Sequence, residues 1–150
     1  GKIYLNKIDI TNIPIQNKRI GYMLQDYFLF PHFNVKNNLI FSLPKQTRNK
    51  KEQVMNYLEQ INMVEFSDHY PSELSGGQKA RIACLRAIVS NPDALLLDEP
   101  FSSLDKKTMK SFQKFLFDYV KKLNIPCIIV SHRLVENLNN SMELNITKFA

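Results

Sequence analysis

The chain has 150 residues, of which 44% are hydrophobic and 23% are charged, so the composition makes a globular core feasible and disfavours wholesale disorder. It contains no apolar run near the roughly 18 residues that cross a bilayer, and its first residues do not form a secretory signal. The net charge of +6 is spread along the chain without interleaved aromatic residues, which disfavours nucleic-acid binding. Cys84 and Cys127 lie in apolar surroundings and are expected to be reduced core residues, which indicates a cytosolic chain.

The N-terminal half predicts short strands followed by helices. Apolar runs predict strands at residues 2–5, 8–10 and 19–24. Residues 26–34 are rich in aromatic side chains and contain Pro31, so this segment is expected to be a surface loop. Apolar residues that recur on one face predict amphipathic helices at residues 35–43 and 51–63.

The C-terminal half alternates helices with apolar strands. One helix is predicted to follow the loop at 70–78 and to end near residue 90, and a second spans 105–123 with Asp105 as its cap. Continuous apolar runs predict buried strands at residues 94–97 and 126–130. A final strand is predicted near the C-terminus, at residues 141–149. This alternation predicts an α/β fold with a parallel sheet.

The sharpest motif is Leu74-Ser-Gly-Gly-Gln78, which opens a predicted helix. Gly76 and Gly77 carry no Cβ atom, so phosphate oxygens can approach their backbone closely. The unpaired N–H groups and the dipole of a helix N-terminus attract anions, and the Ser75 hydroxyl adds a donor. The motif therefore predicts an anion site, although an ordinary capping loop with two turn glycines has the same composition.

The second motif is Asp98-Glu99, which follows a run of four apolar residues. The pair is expected at the carboxyl end of a buried strand, where open α/β sheets bind their ligands. Asp98 at this edge can hold Mg²⁺, and Glu99 can polarise an attacking water molecule. Most isolated acidic pairs are solvated surface residues, so the position directly after the strand carries this prediction.

His132 and Gln25 each follow another predicted strand, at the same edge of the sheet. His132 can hydrogen-bond a terminal phosphate there, and the Gln25 amide can bind both Mg²⁺ and water. A single histidine after a strand has, by default, only structural partners. Both residues are candidates because of their position beside Asp98.

Together these motifs resemble the nucleotide-binding domain of ABC transporters. The ordered set is Gln25, Leu74-Ser-Gly-Gly-Gln78, Leu95-Leu-Leu-Asp-Glu-Pro100, Ser102-Ser-Leu-Asp105 and His132. The resemblance runs from about Gly1 to Val135 and implies an α/β, P-loop NTPase-like (RecA-like) core with a parallel sheet and an inserted helical subdomain. Residues 1–25 and 91–150 would form the catalytic core, and residues 26–90 the helical subdomain with the signature motif.

The resemblance also implies roles for individual residues. Asp98 would bind Mg²⁺, Glu99 would be the catalytic base, and His132 would be the switch histidine. Gln25 would sense Mg²⁺ and the γ-phosphate. The signature residues Leu74 to Gln78, together with the D-loop that ends at Asp105, would contact ATP held by the opposite subunit.

Two segments, residues 25–32 and 124–132, carry a finer resemblance to importers of anions and polyamines. Taken together, they lean toward the molybdate-type ATPase. The resemblance implies a subunit that binds and hydrolyses ATP with Mg²⁺, pairs with a second ATPase subunit in a homodimer, and docks on transmembrane permease subunits. The aromatic segment 27–33 would receive a short helix of the permease. The protein would be cytoplasmic and peripheral on the inner face of the cell membrane, without inserting into it. The transported solute is chosen by other subunits.

The chain departs from the family pattern at both ends. Its 150 residues contain no Walker A loop, G-x-x-x-x-G-K-[ST], and Gly1-Lys2 is followed by Ile3 rather than by serine or threonine. By the order of the family's motifs, Walker A belongs upstream of Gly1, and Arg133 takes the place of the usual acidic residue after His132. We therefore expect an N-terminally truncated domain whose 150 residues alone do not hydrolyse ATP.

Two other functions remain open from the sequence. Without Walker A, the chain could be a non-catalytic module that only donates its signature loop to a partner's ATP site. The positive charge is also compatible with a DNA-repair ATPase of the same superfamily. That class carries a long coiled coil between the positions of Gln25 and Leu74, where this chain has only a short segment.

Overall fold

The computed structural model describes residues 1–132, which form five strands and four α-helices joined by loops and short 3-10 turns. The strands are β1 (Tyr4–Leu5), β2 (Ile8–Asp9), β3 (Ile20–Met23), β4 (Ala94–Asp98) and β5 (Cys127–Val130). The helices are α1 (Val35–Ser42), α2 (Lys50–Gln60), α3 (Gly76–Val89) and α4 (Lys106–Leu123). Within residues 1–132, none of the helices is both long and apolar enough to span a membrane. The strand predicted at residues 141–149 lies outside the described residues.

Three strands form the predicted parallel sheet, in the order β3-β4-β5. Tyr22 lies beside Leu96, which lies beside Ile128, so the three strands run side by side and end at the same edge. Strands β1 and β2 pair separately as the predicted antiparallel hairpin. The α/β architecture expected from the alternation of strands and helices is confirmed.

Helix α3 joins the sheet to the other helices. It lies directly on β3, because a Cβ atom at Gly21 would be only 2.6 Å from the carbonyl oxygen of Ala87. It also packs on α1, which in turn packs on α2. One continuous core results, and it includes Leu39 of α1, Leu58 of α2 and Leu95 of β4.

Side-chain caps begin three of the helices, α1, α3 and α4. The Asn34 side chain accepts a hydrogen bond from the Asn37 N–H at 2.8 Å and begins α1. Asp105 Oδ1 accepts from the N–H groups of Lys107 and Thr108, each at 3.0 Å, which confirms the cap predicted for α4. The hydrogen bonds from Thr108 are the main reason that the pKa of the Asp105 carboxyl lies below its ordinary value.

The two faces of the sheet differ in burial. On the face that α3 covers, Met23, Leu95 and Leu97 are at most 2% exposed. On the opposite face, Ile128 and Val130 of β5 are 61% and 51% exposed. The prediction that β5 is a buried strand is therefore wrong for this face, because the elements within residues 1–132 leave it open to solvent.

Candidate functional site

The candidate residues lie at the carboxyl ends of the three parallel strands. Gln25 follows β3 by two residues, Asp98 ends β4 with Glu99 directly after it, and His132 follows β5 by two residues. Glu99 and His132 are in direct contact. Among residues 1–132, no hydrogen bond joins the exposed Gln25 to Asp98 or Glu99. The edge predicted from the strand pattern thus carries all four side chains, of which two are bonded to each other.

Glu99 is anchored to the end of β5. Its N–H donates to the carbonyl oxygen of Val130 at 2.9 Å. Its Oε1 accepts from the N–H of His132 at 2.9 Å and lies 2.7 Å from His132 Nδ1. Glu99 also has a φ of 50°, a left-handed conformation that is uncommon for residues other than glycine. The hydrogen bonds to Val130 and His132 hold Glu99 in this unfavourable backbone conformation and fix its carboxylate.

The two oxygens of the Glu99 carboxylate have different surroundings. Oε1 is bonded to His132, whereas Oε2 is buried and has no hydrogen-bond partner among residues 1–132. A buried polar atom without a partner is costly, so such atoms mark positions for a water molecule, an ion or a ligand. Oε2 is therefore an acceptor whose partner is missing among residues 1–132, and a water molecule can reach it only if neighbouring atoms move.

His132 presents its ring to solvent while it holds Glu99. When Oε1 of Glu99 accepts the Nδ1–H, the second ring nitrogen, Nε2, can donate to a phosphate oxygen if the imidazole carries both protons. The His132 side chain is 69% exposed, so this nitrogen is accessible. The geometry permits the hydrogen bond to a terminal phosphate that the sequence predicts for this residue.

The possible metal ligands at this edge are few. Within residues 1–132, no group of three or more histidine, cysteine, aspartate or glutamate side chains is arranged to hold a metal ion. Asp98 and Gln25 can supply one carboxylate and one amide oxygen. Such a partial set fits Mg²⁺, which keeps several waters and takes its other ligands from substrate phosphates.

The predicted anion-binding motif forms a tight turn at the start of α3. Ser75 Oγ accepts from the N–H of Gln78 at 3.3 Å, and Gln78 Oε1 accepts from the N–H of Ser75 at 2.7 Å. Among residues 1–132, this reciprocal cap leaves the Ser75 O–H without an acceptor, because the oxygen acts only as an acceptor in the turn. The Leu74 side chain is buried in the core and anchors the turn from inside.

The two glycines of this turn face the loop between Glu99 and Asp105. A Cβ atom at Gly77 would lie 2.7 Å from the carbonyl oxygen of Ser103, closer than real contacts allow. A Cβ atom at Gly76 would lie 3.5 Å from Ser103 Oγ, an ordinary contact distance. Gly77 is thus required by packing within the chain, in addition to the phosphate access expected from the motif. No pattern in the sequence indicates this contact.

Tyr27 is a residue of the site that sequence reasoning missed. Its hydroxyl lies 2.9 Å from the hydroxyl of Ser103, and the two share a hydrogen bond. The sequence identifies Tyr27 only as one of several aromatic residues in a loop, and a contact over 76 residues leaves no local signal.

An aromatic surface lies beside the site, in and near the loop that follows Gln25. It is formed by Phe28, Phe30, His32, Phe33 and Phe41, most of whose rings meet in edge-to-face or tilted pairs. Within the predicted loop, Phe28 is 59% exposed, whereas Tyr27, Phe30 and Phe33 are half-buried. Phe41, which is 63% exposed, belongs to α1. The buried Asn38 side chain holds the loop, since it accepts from the Phe30 N–H and donates to the Phe33 carbonyl oxygen, both at 2.9 Å.

Two relatives indicate what the chain is similar to. A protein of Chlorella vulgaris named probable sulfate/thiosulfate import ATP-binding protein CysA is 37% identical over 147 residues, which are 96% of this chain and 62% of that protein. The sulfate/thiosulfate import ATP-binding protein CysA of Acinetobacter baylyi is 40% identical over 145 residues, which are 92% of this chain and 41% of that protein. The chain thus spans less than two thirds of either relative. The leaning toward a molybdate-type ATPase finds no support in these names.

Solved structures and a family model agree with this likeness. The ATP-binding cassette MJ0796, a dimer in a post-hydrolysis state bound to ADP and Pi, matches with a TM-score of 0.78 at 25% identity, over 89% of this chain and 63% of that chain. A second dimeric structure of this bacterial ABC transporter cassette matches with a TM-score of 0.72 at 25% identity, over 87% of this chain and 62% of that chain. Both confirm the predicted P-loop NTPase-like fold. The ABC transporter model matches residues 1–102, which is more than half of the chain, and the chain therefore belongs to the ABC transporter family.

Proposed function

We propose that this chain is part of the ATP-binding subunit of an importer and takes part in ATP hydrolysis. The observation that carries the proposal is the Glu99–His132 pair, in which Oε1 is bonded and Oε2 is buried without a partner among residues 1–132. A carboxylate held in this way is suited to activate water. The related cassette bound to ADP and Pi supports ATP as the substrate.

In this proposal the residues at the strand ends share the steps of ATP hydrolysis. The Glu99 carboxylate takes a proton from the water molecule that attacks the terminal phosphate of ATP. His132 orients the carboxylate through Oε1 and, with both ring nitrogens protonated, donates from Nε2 to the terminal phosphate. Asp98 and Gln25 would hold Mg²⁺, which neutralises phosphate charge when it is bound.

The turn at the start of α3 is proposed to contact ATP bound to a second ATPase subunit. The free O–H of Ser75 and the first N–H groups of α3 are donors suited to phosphate oxygens. Asp105 caps α4 and so supports the loop that packs against Gly77. The dimeric state of the related cassette supports a pair of such subunits, each completing the other's site. In this reading residues 1–25 and 91–150 belong to the catalytic core, and residues 26–90 to the helical subdomain.

Sulfate or thiosulfate is the proposed solute, because both relatives are named for their import. To test this solute, the full-length protein is placed with its permease in membrane vesicles, and uptake of labelled sulfate is measured on addition of ATP. ATP-dependent uptake that excess thiosulfate competes with is the expected result. Uptake of molybdate without sulfate would overturn the solute, and a wild-type protein without ATPase activity would overturn the proposed function.

The aromatic surface is proposed to receive a short helix of the permease, which would make the protein peripheral on the cytoplasmic side of the membrane. Exposed aromatic side chains that pack against each other offer a preformed apolar docking surface. Phe28→Asp should reduce co-purification with the permease, since a charge would replace a ring that is 59% exposed. Ile15→Asp is the matched control, because Ile15 is 67% exposed but lies outside this surface. Equal co-purification of both variants and the wild type would contradict the assignment.

A further inference from the structure

A groove runs along helices α2 and α4. It consists of two adjoining cavities of about 540 Å³ and 260 Å³, and Gln60, Ser111 and Phe115 line both of them. The larger cavity lies within the range of roughly 300 to 1,000 Å³ that is usual for ligand sites. None of the lining residues belongs to the candidate ATP site or to the aromatic surface. The groove is therefore a separate feature, to which the proposed function assigns no task.

The groove is lined by an excess of positive charge. Although lysines occur along the whole sequence, α4 carries six lysines and one aspartate, a net charge of +5 in a chain with a net charge of +6. Lys107, Lys114 and Lys122 line the groove, together with Arg81 of α3. Asp118 is the one acidic residue that lines these two cavities, and its carboxylate is paired with Lys114 at 3.2 Å. The groove therefore attracts negatively charged groups.

Arg81 adds a partly buried positive charge to this groove. Its Nη1 donates to the Ile61 carbonyl oxygen at 3.0 Å, whereas its Nε is buried without a partner among residues 1–132. Burial lowers the pKa of Arg81, and the nearby charge of Asp105 acts in the opposite direction. A charged group that burial disfavours is stabilised when a further opposite charge comes near it. An anionic group in the groove would supply that charge through space, without having to reach Nε.

The wall that α2 contributes is polar and uncharged. Gln53, Asn56 and Gln60 follow each other at spacings of three and four residues, on one face of α2. Amide side chains both donate and accept hydrogen bonds, so this row is suited to the peptide groups of a bound chain. Between the two helices lie half-buried aromatic side chains, among which Tyr57 and Tyr119 are joined through their hydroxyls at 3.4 Å. The groove thus offers contacts for charged, polar and apolar parts of one ligand.

We propose that the groove between α2 and α4 binds an acidic segment of a partner protein. Carboxylates of the segment pair with the lysines of α4, its backbone bonds the amides of α2, and its apolar side chains pack on the aromatic residues. A flat anionic membrane would reach the lysines but not the half-buried aromatic side chains between the helices. A nucleic-acid duplex would place phosphates against the α2 wall as well, where the lining residues carry no charge. The inference adds a partner to the proposed ATPase and does not depend on ATP hydrolysis.

The test measures binding of a fluorescent peptide of alternating glutamate and leucine to the full-length protein by fluorescence anisotropy. About eight extended residues match the roughly 22 Å along α4 from Lys107 to Lys122. Saturable binding is expected, and Lys114→Glu and Lys122→Glu should each weaken it about tenfold, since repulsion replaces attraction. Lys45→Glu is the matched control, because it makes the same charge change at an exposed lysine outside the groove. It should leave the affinity within about twofold of the wild type.

A second variant separates the shape of the groove from its charge. Ser111 is exposed and lines both cavities, so Ser111→Trp fills the groove without altering the net charge. Peptide binding should fall by about tenfold, while the midpoint of thermal unfolding stays close to that of the wild type. Gln46→Trp, at an exposed position outside the groove, is the control and should bind the peptide as the wild type does.

Three outcomes would overturn the inference. The first is the absence of saturable peptide binding at low salt. The second is equal weakening by Lys45→Glu and Lys114→Glu, or full binding by Ser111→Trp, since either result would place the peptide outside the groove. The third is tighter binding of anionic lipid vesicles or of a DNA duplex than of the peptide, with the same dependence on Lys114 and Lys122. That result would assign the lysines of α4 to a membrane or to nucleic acid.

Discussion

The two halves of the candidate site are held together in different ways. The turn at the start of α3 is closed by hydrogen bonds between Ser75 and Gln78, which are three residues apart. The pair at the strand ends joins Glu99 to His132 across 33 residues. The first half is local and forms with its helix, whereas the second exists only when β4 and β5 are paired. Damage to the sheet should therefore disable the catalytic pair before it disables the turn.

The largest effect is expected when the long-range half loses its chemistry. Glu99→Gln keeps the size of the side chain but removes the base, so ATP hydrolysis by the full-length protein should fall by about 10² to 10⁴. Nucleotide binding should persist, because the change leaves the phosphate contacts in place. The measurement is steady-state hydrolysis together with binding of a fluorescent ATP analogue. Hydrolysis within a factor of three or so of wild type would contradict the role of Glu99.

The next largest effect is expected on the reactivity of Cys127, which measures how tightly β5 is packed. Burial raises the pKa of the Cys127 thiol to about 11. Because the thiolate is the reactive form, alkylation near pH 8 should be about 100-fold slower than for an unperturbed thiol and should rise with pH up to about 11. Cys84 is fully buried, and its pKa is also raised, so it should react only on unfolding. Fast labelling of Cys127 at neutral pH would show that β5 is loosely held.

A smaller effect is expected where the two halves touch. Gly77→Ala places a methyl group 2.7 Å from the Ser103 carbonyl oxygen and should destabilise the protein by about 1 to 3 kcal/mol. Gly76→Ala is the matched control, since its methyl group has room and alanine favours a helix by up to about 1 kcal/mol. Thermal unfolding should therefore shift in opposite directions for the two variants. Shifts of the same sign would mean that the turn and the loop after Glu99 are not in contact.

The smallest effect tests the local half alone. Ser75→Ala removes the side chain that accepts the Gln78 N–H and should cost about 1 kcal/mol of stability. Ser75→Asp keeps an acceptor at the cap and should retain most of that stability. Urea unfolding of the three proteins measures the difference. Equal stability of Ser75→Ala and the wild type would show that the turn is held by packing rather than by its cap.

The sequence predicts the local features of this molecule well. The helix after Ser75 and the cap at Asp105 depend on residues within a few positions of each other, and both are present. The parallel sheet follows from the alternation of apolar runs and helices. The candidate residues then follow from their positions after each strand, which is why the edge with Glu99 and His132 could be located.

The features that the sequence does not indicate depend on contacts between distant segments. The packing of Gly77 on Ser103 and the bond from Ser103 to Tyr27 require the positions of three loops. The exposed face of β5 is a similar case. Its apolar residues, including Ile128, are those of a strand covered on both sides, whereas the residues 1–132 cover only one. An apolar pattern in the sequence shows that a strand is able to be buried. It does not show whether another element covers that strand.

The uncovered face of the sheet has a consequence for handling the chain in solution. It exposes Tyr22 and Leu24 at β3 and Ile128 and Val130 of β5, with β4 between them, and β3 and β5 are both edge strands within residues 1–132. Exposed apolar residues next to unpaired strand edges favour pairing between molecules. A preparation of these 150 residues should therefore bind hydrophobic dyes and show light scattering that grows with protein concentration. Mild detergent or a charged residue at position 128 should suppress both signals and so extend the concentration range in which the isolated chain stays monomeric.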